Sequence, residues 1–326
     1  MNLVATPHLV LPNFALLLGP MLISQFMNWG LFGVLTVQLY IYYLAFPGDP
    51  RHRKLTVAML YALETVQLIL TTHDAFITYA AQWGDLAHVD GIKTLWIGIP
   101  IMTGLIGCVV QLFYARRVLL ISRGNFWITG AVVITAITQA GLSIWAGVVA
   151  REIGQLTILP WSHNFNVFVV WLGTTAFCDL IITLSISYYL YKARRSLASR
   201  RTSIIVTRLI KLTIETGFVT AASAIVEAIL FVVSRNTLMY SIFMGITCKL
   251  YSNCLLAILN ARISMQATTS TDDPITLSLM GTQSVSAPNH ARLPLHFPIK
   301  SQIEVSREII VDISPGHRGH EQAEDK

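Results

Sequence analysis

Glu64, Asp179 and Lys249 are ionisable side chains set inside long apolar runs, where charge is expensive and therefore informative. An ionised group in hydrocarbon costs about 2.5 to 3.5 kcal/mol on insertion scales, so such residues turn toward a bundle interior and find partners there. At about 1.5 Å of rise per residue from the nearer basic connection, all three lie roughly 15 to 18 Å deep. Glu64 heads a row with Gln67, Thr71, Asp74 and Thr78, spaced alternately three and four, which puts all five on one helical face. Thr175, Asp179, Thr183 and Ser187 repeat every four, and Lys249, Asn253 and Asn260 share a third stripe. Three polar stripes facing lipid would be left unsatisfied, so the pattern predicts a shared interior.

Two kinds of chemistry fit that layer. One is a polar cavity or relay in which Lys249 pairs with Asp179, Glu64 or both. The other is an interhelical clamp that fixes packing and binds nothing. Glu215 has Lys211 four residues before it, the spacing of a local ion pair. His73 and Asp74 approach the outer mouth, as interfacial residues or as ligand contacts, and Glu227 also lies toward the exterior end. A lysine on a seventh helix raises a retinal Schiff base. Fungal opsins carry their acidic counter-ion on the third helix, however, and Thr94 to Tyr114 holds no acid. There is no Asp-Arg-Tyr after the third run and no Asn-Pro-x-x-Tyr on the seventh. No His-Glu-x-x-His, Gly-x-Ser-x-Gly or phosphate-binding loop occurs, and the cysteines lack metal spacing, so neither an enzyme nor a cofactor is expected.

The elements that position these residues follow from composition. Of 326 residues 54% are hydrophobic and only 12% charged, about half the charge of an ordinary soluble domain, which excludes a soluble enzyme. The 23 Lys and Arg sit in short runs between apolar segments, which argues against nucleic acid as the partner of the +6 net charge. A crossing of roughly 30 Å takes about 20 apolar residues. Seven segments qualify: 14–45, 55–79, 94–114, 126–149, 165–191, 204–234 and 238–261. The fold class is therefore an all-α integral membrane protein, a seven-helix bundle. Pro20 and Gly19 are expected to divide the first run into a lipid-skimming approach and a core helix from Met21.

Positive residues resist translocation. Arg51, Arg53 and Lys54 fill the first connection, Arg116, Arg117 and Arg123 the third, and Lys192, Arg194, Arg195, Arg200 and Arg201 the fifth. The second, fourth and sixth hold only Lys93, Arg151 and Arg235. The amino terminus and segment 1–13 are thus expected outside the cytosol and the tail 263–326 inside it, in the plasma membrane or another secretory-pathway membrane. No cleavable signal peptide is expected, for want of a basic n-region. Cys108, Cys178, Cys248 and Cys254 all fall within spans, leaving no exterior disulfide framework, and no Asn-x-Ser/Thr sequon occurs. From Ser264 the composition turns to Thr, Ser, Pro, Asp and Gln, predicting a disordered tail with hydroxyls open to phosphorylation.

Several stretches also resemble one family. They are Phe46-Pro47-Gly48-Asp49 leading into Lys54-Leu55, Gln111 to Arg117 ending at Ser122, Asp179 to Thr183 followed by Tyr188-Tyr189-Leu190, Thr216-Gly217, and Lys249-Leu250-Tyr251-Ser252-Asn253 with Asn260 and Arg262. In order and spacing, residues 19–262 resemble a fungal, mainly basidiomycete, family of seven-helix membrane proteins catalogued as a domain of unknown function. Cys254 stands where that pattern has serine, and Glu215 where it has asparagine. The resemblance implies a multi-pass membrane protein and no chemistry.

The leading expectation is a receptor-like sensor of a small exterior ligand. Its basic loop, 192–208, would meet a cytosolic protein or anionic lipid headgroups. The rivals are a transporter or proton-coupled carrier using Glu64, Asp179 and Lys249, and a membrane-organising protein without a ligand.

Overall fold

The computed structural model describes residues 14–82, 91–122, 124–195, 200–235 and 237–263. The expected exterior segment 1–13 and all of the expected tail beyond Ile263 lie outside them. Seven helices carry the described chain: α1 (Phe14–Ala45), α2 (Arg51–Phe76), α3 (Met102–Ile121), α4 (Phe126–Ile153), α5 (Phe165–Arg195), α6 (Arg200–Val233) and α7 (Ser241–Asn260). A π turn at Ile77–Ala81 extends α2, and another at Ile97–Ile101 leads into α3. Each of the seven is long and apolar enough to cross a membrane, and the described residues contain no strand beyond one isolated bridge between Gly91 and Gln155. The chain is a multi-pass helical membrane protein.

Against the expected spans, α2 and α6 begin about one turn earlier and α5 ends about one turn later at their basic ends, α3 runs about two turns further, from 114 to Ile121, and α4 runs about one turn further at its opposite end. The expectation at Pro20 fails. α1 is continuous through it from Phe14 to Ala45. Proline removes one backbone bond, but in hydrocarbon the alternative is to expose many unpaired groups, so the helix continues past it. Pro100 has the opposite fate, since it lies inside the π turn that opens α3, where the widened backbone absorbs the missing donor. Asn125 caps α4 by accepting the Trp127 N–H at 3.1 Å, and Gly154 ends it in the left-handed region at φ 72°.

α1 packs on α2 and α7, and α3 to α6 follow in sequence, each on the next, with α6 closing on α7. α3 also touches α5 and α7, and α2 touches α3 and α7, which leaves α3 and α7 innermost. Lipid offers no hydrophobic gain for joining helices, so close contacts come from small residues and polar bonds. Gly104 of α3 lies against Ser143 of α4, Gly217 of α6 against Thr183 of α5, and Gly245 of α7 against Ser24 of α1, each so near that an added Cβ would collide. Two apolar clusters fill the interior. One, toward the end bearing Ala45, Ile121 and Arg195 (the basic end), includes Leu60, Val110, Ile186 and Leu255. The other, toward the opposite end, includes Phe168, Trp171, Phe231 and Tyr240. Much of the remaining apolar surface faces outward, with Phe26, Ile69, Ile134 and Phe218 well exposed, as a lipid-facing bundle requires.

Candidate functional site

Polar groups in the interior gather around α7, whose sequence from Thr247 to Asn253 places a hydrogen-bonding side chain on nearly every aspect of the helix. Lys249 points to α2. Its ammonium donates to a Glu64 carboxylate oxygen, to the Glu64 carbonyl at 3.0 Å and to Gln67 Oε1 at 2.8 Å. The other Glu64 oxygen accepts the Ser252 hydroxyl at 2.6 Å. Both charged side chains are 0% exposed. Asn28 of α1 donates to Gln67 at 3.4 Å and Thr71 at 3.2 Å, and the Phe32 ring lies 5.5 Å from the ammonium. Asn253 donates to the Leu31 carbonyl at 3.1 Å and the Lys249 carbonyl at 2.8 Å. The three donors of the ammonium thus go to three oxygens, so none of its hydrogens is left unbonded in the interior. Asn28 Oδ1 and Gln67 Nε2 bond no protein group.

Asp179 does not join this cluster. Depth had placed it in the same layer as Lys249, but it hangs from α5 on the other side of α7, and no ion pair among the described residues reaches it. Its Oδ1 accepts from Gln111 Nε2 of α3 at 3.1 Å and its Oδ2 from the Tyr251 hydroxyl of α7 at 2.6 Å, with Thr220 of α6 beside it. The carboxylate borders a small cavity with ≈ 20 Å³ of room for water centres. Threonines of α5 and α6, Gln111, Tyr114, Tyr251 and Cys254 line it together with the apolar Val110, Ile182 and Gly217. Gln111 Oε1 is buried and bonds nothing. Glu227 of α6, which the sequence places toward the exterior end, is buried and accepts from Thr247 at 3.2 Å.

Nearer the ends the polar groups become structural. Asp74 accepts the Thr94 backbone N–H at 2.8 Å and its hydroxyl at 2.7 Å, so it anchors the approach to α3, and His73 lies 3.1 Å from it. At the basic end Asp49 takes both forks of the Arg262 guanidinium, at 2.6 and 3.0 Å, with Arg53 at 3.4 Å and the Tyr42 hydroxyl at 3.0 Å. The guanidinium also stacks 4.0 Å over Phe46. Burial pushes the Asp49 carboxyl up, but the bonds and charges of Arg262, Tyr42 and Arg53 together outweigh it and hold the group below the ordinary carboxylate value.

Of the residues predicted from sequence, Glu64, Gln67, Lys249 and Asn253 come together, whereas Asp179 and Asp74 lie elsewhere. Glu215 sits on the outer surface, 3.7 Å from Lys211. Lys192 is exposed. Arg194, Arg195, Arg200 and Arg201 belong to helix ends whose side chains lie outside the described residues. Sequence reasoning missed Gln111, Tyr251 and Ser252 as partners, and the Asp49–Arg262 pair. The signal was present, because all five stand in the stretches that carried the family resemblance.

Residues 175–264 match a family of unknown function, DUF6534. The match spans most of α5, α6 and α7 and so includes Asp179, Lys249 and Tyr251, but not Glu64 or Gln111. No curated protein and no solved structure matches the chain.

Proposed function

We propose that this membrane protein is a receptor-like sensor of a small exterior ligand. Its amino terminus lies outside the cytosol and the chain beyond Arg262 inside it. One observation carries the reading. Within two turns α7 bonds α6 through Thr247, α2 through Lys249 and Ser252, α5 through Tyr251 and α1 through Asn253. A helix held by directional polar bonds to four neighbours passes any displacement of its own on to all four, which is what an element that transmits a signal requires. Its outer end lies against α1 at Gly245 and Ser24, and its basic end is followed by Arg262. A ligand that displaced the outer end would therefore be felt at the Asp49 pair.

The basic segment 192–208 is the surface offered to a cytosolic protein or to anionic headgroups. The resemblance adds a fungal source, the orientation goes with a plasma or other secretory-pathway membrane, and we assign no catalytic role. A proton-coupled carrier is the second reading, favoured because Asp179 and Glu227 are buried carboxylates on adjacent helices without a basic partner among the described residues. A membrane-organising role without ligand would make the polar bonds packing alone. Proteoliposomes carrying the purified chain, assayed for flux of protons and a panel of solutes, separate the first two. The sensor reading expects no flux above empty liposomes, and robust transport removes it. Orientation is tested by an introduced Cys at Asp85 and at Ser199, both outside the described residues: impermeant reagent should label the first and spare the second in intact cells.

A further inference from the structure

Charge does not balance around Asp179. Lys249 is fully engaged by Glu64, a neutral pair, and the cavity beside Asp179 has no lysine, arginine or histidine in its lining. A proton on the carboxyl is one remedy. Yet both carboxylate oxygens already accept hydrogen bonds, Oδ1 from Gln111 and Oδ2 from Tyr251, the arrangement that suits the ionised form. A second imbalance lies alongside, because Gln111 Oε1 is buried at the same cavity with no donor to meet it. A water would satisfy that oxygen but leave the charge.

We infer that this cavity binds a small monovalent cation, sodium, coordinated by Asp179, Gln111 Oε1 and the hydroxyls of Thr216 and Thr220. One ion answers both deficits. Hard cations take oxygen ligands, and a carboxylate, an amide carbonyl and two hydroxyls supply them from α5, α3 and α6. The volume, ≈ 20 Å³ for water-sized centres, admits one dehydrated ion or about one water and little else. Gly217 packs directly on Thr183 at the wall, so the cavity has little room to widen, which favours sodium over the larger potassium. Such a site ties α3, α5 and α6 together on the side of α7 away from Lys249. It goes beyond the sensor reading and is independent of transport, since binding is read in detergent and flux across a membrane.

The test compares thermal unfolding of the purified full chain in sodium, potassium and choline chloride at equal ionic strength. Sodium at ten times its dissociation constant should raise Tm by roughly 3 to 6 °C over choline. Potassium should do less, and Asp179→Asn should abolish the difference. Should that variant not fold, Thr216→Val, which removes one ligand at constant shape, should shift the half-maximal sodium concentration upward by at least about threefold, roughly 0.7 kcal/mol. Radiolabelled sodium on the unaltered protein should bind once per chain. Equal Tm in all three salts with no retained label overturns the site, as does a sodium effect that survives intact in Asp179→Asn.

Discussion

The two sides of α7 solve the same problem differently. Toward α1 and α2, Lys249 and Glu64 bury opposite charges in contact and spend every ammonium donor on an oxygen. Toward α3, α5 and α6, Asp179 is buried with neutral donors and a cavity. Membrane interiors penalise both, but only the first is closed. A paired charge with a complete set of bonds has nothing left to offer a ligand, whereas an unpaired one with space beside it does. The comparison assigns Lys249, which sequence made the most conspicuous residue, to the frame, and gives the binding role to Asp179.

The largest test is Lys249→Met, which strands the Glu64 carboxylate and should cost about 3 to 5 kcal/mol, read as lost yield of folded, detergent-stable protein. Adding Glu64→Gln should recover much of it and adding Asp179→Asn should not. Equal rescue by both would erase the distinction between the two sides. Next is the basic end, where Arg262→Ala breaks a second buried pair, this one beyond the membrane span. Loss of its charged hydrogen bonds should cost about 1 to 3 kcal/mol in chemical denaturation of the purified protein. The pH dependence has a fixed sign. The folded Asp49 carboxyl holds its proton less tightly than the unfolded one, so its contribution is complete above the ordinary value of 3.8 and is lost as pH falls below it. Arg262→Ala should flatten that acid limb.

Asp179→Asn tests the open side directly. In sodium-free buffer it should change stability by less than about 1 kcal/mol, because the amide oxygen still accepts and no opposite charge is stranded. A loss as large as that of Lys249→Met would show the two sides to be alike. Smallest of all is Glu215→Gln. With Lys211 and Glu215 side chains 76% and 57% exposed, their pair should be worth less than about 0.5 kcal/mol.

Hydropathy was enough to read the seven spans, and the three-and-four spacing after Glu64 correctly placed Gln67, Thr71 and Asp74 in the interior. What it could not give was azimuth. Depth along a helix is a one-dimensional coordinate fixed by residue count, so Glu64 and Asp179 looked equivalent as partners of Lys249. Which one faces the lysine depends on the order of helices around α7, set by contacts such as Gly245 on Ser24 that belong to no polar stripe in the sequence. Gln111 was hidden for a related reason. A single amide in an apolar run has no periodicity, and only the tertiary approach of Asp179 shows what it donates to. Pro20 misled because local propensity was weighed without the solvent, which in lipid forbids the break that water would tolerate.

The π turn at Ile97–Ile101 bears on kinship. Such a turn fits about one more residue into the same axial rise than an α turn does. Past that point the helical faces are out of phase by about 100° with those before it. A relation that lacks the turn would align with a one-residue gap there, and an ungapped comparison would put Leu95 and Trp96 on the wrong side of the helix. The turn is thus a countable hereditary mark: a lineage that gained or lost one residue between 97 and 101 would have rotated the outer mouth of its third helix while leaving Gln111 facing inward.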